Sequence, residues 1–128
     1  MFRGQQMKKA PHDYLEAFNT VDIPKMMTLY SDNAIIEDPY GTPPRVGKAA
    51  IEAFYREALV HGAQLRLSAP VRASYSDAAA MAFEAMVERP EGTSRVDIID
   101  VMTFDEAGLI GTMHAYFGGS DISASTAS

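Results

Sequence analysis

The stretch RVDIIDVMTFD, residues 95–105, is the most informative part of the sequence, because it has the two-residue alternation of a half-buried β-strand. Alternate side chains of a strand point to the same face of a sheet. The even positions of this stretch form one such face, made of Val96, Ile98, Asp100, Met102 and Phe104. We therefore predict a strand whose apolar face lies in the core, with one carboxylic acid at its centre.

The residues on both sides of this strand alternate in the same way, so we predict further strands before and after it. Residues 65–75 place apolar side chains at the odd positions, and Pro70, which has no N–H to donate, marks a bulge or a sheet edge. The next predicted strand has a face made of Met81, Phe83, Ala85 and Val87. After a turn at residues 105–108, the last predicted strand has a face made of Leu109, Met113, Ala115 and Phe117.

The first half of the chain has the apolar spacing of helices. Pro11 suits the first turn of a helix, and Asp22 is a suitable N-cap for a second one. The apolar stripe of the first helix consists of Tyr14, Leu15 and Phe18, and that of the second of Met26, Met27 and Tyr30. A short strand around residues 34–38 and a turn-rich loop then lead to a third helix from about Lys48 to Val60. Helices followed by a meandering sheet predict an α+β domain whose helices and sheet enclose an apolar cavity.

Length and composition exclude several classes of protein. The 128 residues suit a single domain, 1–128, and we expect the small, polar stretch 118–128 to fray. The absence of cysteine excludes disulfides, thiol nucleophiles and cysteine-based metal sites. A net charge of −6 disfavours nucleic acid and anionic membranes as partners. Because no apolar run is long enough to span a membrane and the N-terminus lacks a signal-peptide pattern, we expect a cytoplasmic protein.

Asp100 departs most clearly from the alternating pattern. A carboxylate on the core face of a strand would lose several kcal/mol of solvation unless it were paired, so we expect it to keep its proton. A neutral carboxylic acid in an apolar site is a hydrogen-bond donor. The alternative is a structural aspartate that accepts bonds from backbone amides or from a basic side chain, but no Lys or Arg shares its face.

Asp38 and three tyrosines are further candidates for chemistry. If Ala34 and Ile36 face inward, the two-residue alternation also turns Asp38 inward, although an aspartate before a proline is more often a turn residue than a base. The tyrosines lie on the apolar sides of the three predicted helices, and they are Tyr14, Tyr30 and Tyr55. Each tyrosine alone would be explained by core packing, whereas three phenols converging on one cavity would not. The three histidines are scattered and show no metal-ligand spacing.

Several fragments, in their order, resemble the bacterial Δ5-3-ketosteroid isomerases. These fragments are LYSDNAIIEDPYGTPPRVGKAAIEAFYREAL, APVRAS, AMAFEAMV, VDIIDVMTFDEAGLI and TMHAYF, and with Tyr14 they extend to Phe117. The resemblance implies the nuclear-transport-factor-like fold. In that fold, a cone-shaped roll, a curved and mostly antiparallel sheet wraps around the three helices of the N-terminal half, with the active site inside.

The resemblance also implies a role for each candidate residue. Asp38 corresponds to the general base, while Tyr14 and a protonated Asp100 correspond to the two donors that bind the steroid carbonyl oxygen. Tyr30 and Tyr55 correspond to the phenols that support Tyr14. The predicted substrate-binding residues are Phe18, Phe54, Met81, Phe83, Ile98, Met113, Ala115 and Phe117. No cofactor and no metal is implied.

The predicted outer face of the sheet is too apolar for a face in water. It consists of Met86, Ile99, Val101, Ile110 and Tyr116. We expect a second copy of the chain to cover it, and the family resemblance likewise implies a homodimer. Two other functions fit the same residues: another enzyme of the superfamily, such as a polyketide cyclase or a hydratase, and a non-catalytic module that binds small apolar ligands.

Overall fold

The computed structural model describes residues 2–126 of the chain, and the side chains of residues 3–124. In this part of the chain the helices are α1 (Phe2–Asn19), α2 (Ile23–Thr28) and α3 (Lys48–Leu59). The strands are β1 (Tyr30–Glu37), β2 (Arg45–Val46), β3 (Gln64–Leu67), β4 (Arg72–Ala73), β5 (Ala78–Arg89), β6 (Gly92–Phe104), β7 (Ile110–Tyr116) and β8 (Ile122–Thr126). A single turn of 3₁₀ helix, Gly119–Asp121, precedes β8.

All eight strands belong to one open sheet with the order β2-β1-β7-β6-β5-β3, in which β4 pairs with β5 and β8 with β6. The pair β1 and β7 is parallel, and the other neighbouring pairs are antiparallel. Helix α1 packs on β3, β4 and β5, while α3 packs on β1 and β2. The structure confirms the predicted α+β fold, a curved and mostly antiparallel sheet around three helices. Within residues 2–126, none of these helices combines the length and the apolar character needed to cross a membrane.

Helix α1 begins nine residues before Pro11, so the prediction that Pro11 lies in its first turn is wrong. A proline inside a helix removes one backbone hydrogen bond and typically costs about 3 kcal/mol. The turn before it brings Met7 into the core, where its side chain is 4% exposed, and Pro11 itself is buried. Burial of a methionine side chain contributes roughly 1.5–3 kcal/mol, which is enough to offset much of that cost.

Helix α2 is shorter than predicted. Its N-cap is confirmed, because the Asp22 carboxylate accepts a hydrogen bond from the Lys25 backbone N–H at 3.0 Å. The helix ends at Thr28, and Tyr30, predicted on its apolar side, is instead the first residue of β1. Tyr30 pairs there with Ile110 of β7, which keeps its side chain in the core.

Strand β7 contains a bulge that the alternating pattern does not reveal. Thr103 pairs with Thr112, but the next residue of β6, Phe104, pairs with Ile110, so Gly111 is the extra residue. An extra residue reverses which face the following side chains point to. Ile110 therefore turns into the core and is fully buried, so the prediction that it lies on the outer face is wrong.

The end of the chain forms a strand where the sequence predicts a frayed tail. Residues 122–126 pair with residues 92–96 of β6, while residues 127 and 128 lie outside the described residues. Strand β7 pairs only with the part of β6 from residue 99 onward, so the first residues of β6 offer unpaired N–H and C=O groups. An open strand edge of this kind readily pairs with another segment, and here β8 provides the hydrogen-bond partners for these N–H and C=O groups.

Candidate active site

A buried cavity of about 120 Å³ lies between the helices and the inner face of the sheet. Residues from α1, α3, β3, β5, β6 and β7 line it together with Asp38, which directly follows β1. The lining residues are Tyr14, Phe18, Asp38, Phe54, Ala58, Leu65, Phe83, Ala85, Ile98, Asp100 and Ala115. The cavity thus has an apolar wall with two carboxyl groups and one phenol.

Asp100 lies in the middle of β6, between Met81 of β5 and Ala115 of β7. Its side chain is 1% exposed, and neither carboxyl oxygen has a hydrogen-bond partner among the described residues. Burial, and to a smaller extent the negative charge of nearby Asp38, raises the pKa of the Asp100 carboxyl well above its ordinary value. The shift favours the neutral form of the acid, which has an O–H group to donate in a hydrogen bond.

Tyr14 projects from α1 into the same cavity and is 3% exposed. Its ring lies 6.0 Å from the Tyr55 ring and 6.1 Å from the Phe18 ring, between centroids. Burial first, and then the electrostatic interaction with the nearby Asp100 carboxyl group, raises the pKa of the Tyr14 phenol well above its ordinary value. A hydrogen bond with Tyr55 acts in the opposite direction, as expected for a phenol oxygen that receives a bond.

The three phenols form a chain across the core. The Tyr30 and Tyr55 hydroxyl oxygens lie 2.5 Å apart, and Tyr55 in turn contacts Tyr14. Tyr30 and Tyr55 are fully buried, and burial raises the pKa of both phenols. Because all three hold their protons at neutral pH, the chain fixes the Tyr14 hydroxyl without placing a charge beside it.

Asp38 is half-buried at the start of the loop that follows β1. The loop is tied to the sheet because the Tyr40 N–H donates to the Ala115 carbonyl oxygen at 2.6 Å. Burial raises the pKa of the Asp38 carboxyl to about 6, while the positive charge of Arg45 acts in the opposite direction. A carboxyl group with this pKa is mostly ionised at pH 7 and is a much stronger base than an ordinary aspartate.

The structure brings together most of the predicted site residues. Tyr14, Asp38 and Asp100 line one cavity, and so do five of the predicted wall residues: Phe18, Phe54, Phe83, Ile98 and Ala115. Met81 and Met113 are buried in the core but are not among the lining residues. Phe117 borders a separate open groove that shares Phe83 and Ile98 with the cavity.

Three lining residues were not predicted as site residues: Ala58, Leu65 and Ala85. The patterns contain a signal for each of them. Ala58 lies one helical turn after Phe54, and Leu65 and Ala85 lie on the predicted inward faces of their strands. Leu65 and Ala85 are also directly paired, so they form adjacent parts of one wall.

One largely apolar cavity thus holds the Asp38 and Asp100 carboxyl groups and the Tyr14 phenol. Such a set can remove a proton from carbon and stabilise the negative charge that then develops on oxygen. Over residues 2–126, no cluster of three or more His, Asp or Glu side chains is placed to hold a metal ion.

Comparisons with known proteins identify the family and the fold of the chain. Residues 12–112 match the family model of the SnoaL-like domain. A Steroid Delta-isomerase of Nocardioides simplex is 32% identical over 117 residues, which cover 91% of this chain and 94% of that protein. The solved structure of SalBIII, an epoxide hydrolase/cyclase-like enzyme with a role in pyran ring formation in the polyether salinomycin, superposes with a TM-score of 0.87. It is 24% identical, and the match covers 94% of this chain and 97% of that one, so this likeness concerns the fold.

Proposed function

Since the chain belongs to the SnoaL-like family, we propose that it is an enzyme of that family that isomerises Δ5-3-ketosteroids to the conjugated Δ4 form. The reaction moves a carbon–carbon double bond by removing a proton from carbon 4 and returning one to carbon 6. The steroid isomerase relative, 32% identical over most of the chain, supports this substrate class.

In the first step, the Asp38 carboxylate takes the proton at carbon 4. The electrons of the broken C–H bond form a double bond between carbons 3 and 4, and the carbonyl π electrons move onto the oxygen. This gives a dienolate. Tyr14 and neutral Asp100 donate hydrogen bonds to that oxygen as its charge grows.

In the second step, protonated Asp38 gives the proton to carbon 6. The π electrons of the double bond between carbons 5 and 6 form the new C–H bond, and those between carbons 3 and 4 move between carbons 4 and 5. The electrons on oxygen re-form the carbonyl group, which is then conjugated with the new double bond. Asp38 is ionised again at the end, so no proton is gained or lost. The partial exposure of Asp38, against 1% for Asp100, suits a base that must reach two carbons.

The environment of Asp100 is the observation that carries the proposal. A buried carboxyl group with both oxygens unpartnered among the described residues is unfavourable for stability unless a ligand uses it. The cavity beside it is apolar and supplies a phenol as a second donor. A single donor of this kind typically contributes about 2.7–4 kcal/mol to stabilising the transition state, so two donors account for a large part of the catalysis.

The rival functions differ in what they need from Asp100. A module that only binds apolar ligands gains nothing from an unpartnered carboxylic acid in its cavity. A polyketide cyclase or hydratase would use the same acid–base pair on a different carbonyl compound, so the substrate separates it from an isomerase.

We also propose that the outer sheet face forms a homodimer interface. On that face, Ile99 is 49% and Tyr116 is 42% exposed, and the two residues are directly paired across β6 and β7. Val101 lies two residues further along β6 on the same face. An apolar face of this kind is best covered by a second copy of the same surface.

An assay for conjugated enone with 5-androstene-3,17-dione tests the proposed function. We expect the ultraviolet absorption of the Δ4 product to appear at a rate far above the solvent background and in proportion to enzyme concentration. Binding of the steroid without turnover would favour the binding module. Neither binding nor turnover would favour another enzyme of the family.

A further inference from the structure

Arg45, in the short strand β2, has an unusual environment for an arginine. Its guanidinium carbon lies 4.4 Å from the centroid of the Phe54 ring, in a cation–π contact. Among the described residues, the guanidinium forms no ion pair within 4.0 Å and no hydrogen bond. Its position is therefore fixed by an aromatic face and not by a carboxylate.

Phe54 connects Arg45 to the active site. The ring lines the cavity that contains Asp38, and it also lines a second cavity of about 200 Å³ on the outer side. The second cavity is bounded by Arg45, Phe54, Glu57, Ala58 and His61. A charge held over Phe54 therefore stands at the boundary between the apolar site and the surface.

Arg45 of β2 pairs with Ile36 of β1, two residues before Asp38, so the strand pairing places Arg45 beside the base. The Arg45 and Asp38 side chains form no ion pair within 4.0 Å, yet the positive charge of Arg45 opposes the effect of burial on the Asp38 carboxyl. The other groups that Asp38 influences electrostatically are Tyr14, Tyr30, Tyr55 and Asp100, which are neutral at neutral pH. On its outer side, Arg45 faces the exposed groups Glu57 and His61, and Lys48 nearby is paired with Asp32 at 3.8 Å.

We propose that Arg45 is a positioning residue for the base: its guanidinium, fixed over Phe54, keeps the Asp38 carboxyl group ionised in the closed site while leaving both oxygens free. This proposal rests on the proposed function, because it assigns Asp38 the role of base. A direct ion pair would occupy the carboxylate oxygens that must accept the proton from the substrate. A charge held a short distance away stabilises the ionised form without that competition.

The proposal predicts opposite effects of Arg45 at low and high pH. The positive charge increases the fraction of Asp38 that is ionised, which helps where protonation limits the rate. The same charge weakens Asp38 as a base, which costs rate where the group is already fully ionised. Removing the charge should therefore slow the reaction in acid and leave it unchanged or faster in alkali.

The test compares the pH profiles of kcat/KM for wild type, Arg45→Gln and Arg45→Lys. In Arg45→Gln the midpoint of the fall in kcat/KM in acid should move to higher pH. The kcat/KM of Arg45→Gln, divided by that of wild type at the same pH, should therefore be at least about threefold smaller near pH 5.5 than near pH 8.5. Arg45→Lys keeps the charge and should restore most of the wild-type profile. Arg72→Gln, which removes an exposed arginine of β4, is the matched control and should leave the profile unchanged.

Three results would overturn the proposal. A loss of rate in Arg45→Gln by the same factor at every pH would assign Arg45 a structural role, and a rise in KM alone at every pH would assign it to ligand binding. A titration of the Asp38 carboxyl by carbon NMR in the substrate-free protein separates this proposal from the proposed function. If the wild-type protein does not isomerise the steroid, the midpoint must still rise in Arg45→Gln, and an unchanged midpoint would refute the role of Arg45.

Discussion

Replacing Asp100 by asparagine should stabilise the protein while slowing it only moderately. In the folded state the raised pKa keeps the Asp100 carboxyl protonated, whereas in the unfolded chain it ionises with an ordinary pKa of about 3.9. Above that value the unfolded state binds fewer protons than the folded state, so the stability falls as the pH rises. The loss from this one group is about 1.4 kcal/mol for each pH unit up to the folded-state pKa.

Asparagine removes this loss because its side chain does not ionise. The carboxyl group therefore makes the protein less stable as the pH rises above the unfolded-state value, because burial raises its pKa in the folded state. The new amide has its own unsatisfied polar atoms, at a cost of about 1–3 kcal/mol that does not vary with pH. The difference in unfolding free energy between Asp100→Asn and wild type should therefore rise steadily with pH, whatever its absolute value.

Urea denaturation between about pH 5 and pH 8 measures this slope. The matched control is Asp97→Asn, which makes the same substitution at an exposed position on the same strand. A difference that stays flat with pH for Asp100→Asn would show that Asp100 is ionised in the folded protein and would refute the reasoning.

Turnover of the same variants tests the donor role. Asparagine can still donate an N–H, whereas Asp100→Ala has no donor and should lose about a hundred- to a thousandfold in kcat. Asp100→Asn should therefore be clearly faster than Asp100→Ala. Equal losses in both variants would mean that Asp100 does not act as a hydrogen-bond donor.

Three other changes probe the rest of the account. The variant Asp38→Asn should bind steroid and melt near the wild-type temperature but lose about 10²–10⁴ in kcat. Near-normal turnover of this variant would exclude Asp38 as the base. In the wild-type protein, kcat/KM should fall in acid with a midpoint near the Asp38 pKa of about 6. For Tyr14→Phe we expect kcat to fall by about 10²–10³ with a small change in KM, and a large KM effect alone would contradict the oxyanion role. Substituting Asp for Val101 should convert a dimer, measured by analytical ultracentrifugation, into monomers, and a fully active wild-type monomer would refute the dimer.

Much of the site could be predicted because its residues break simple patterns. Asp100 occupies an inward position on a strand whose other inward residues are apolar, and the strand pairing places it there. Tyr14 and Tyr55 lie on helix faces that the three- and four-residue spacing already turns to the core. These predictions depend only on periodicity, which the fold preserves in long and regular elements.

The errors arise where tertiary contacts override local patterns. The bulge at Gly111 turns Ile110 inward. The alternation of apolar and polar residues in the sequence does not show where a single extra residue interrupts a strand. Strand β8 forms because β7 leaves part of β6 uncovered, which is a property of the partner strand and not of the tail. The role proposed for Arg45 could not be inferred from the sequence, because it depends on the stacking against Phe54 and on the strand pairing that places Arg45 opposite Ile36.

The protonation states of Asp38 and Asp100 in the wild-type protein test the central claim most directly. Carbon NMR of protein labelled at the aspartate carboxyl carbons reports them, with Asp38→Asn and Asp100→Asn identifying the two resonances. We predict that the Asp100 resonance stays at the position of a neutral acid from about pH 5 to pH 8, while the Asp38 resonance titrates near pH 6. An Asp100 resonance at the position of an ionised carboxylate at pH 7 would contradict the account.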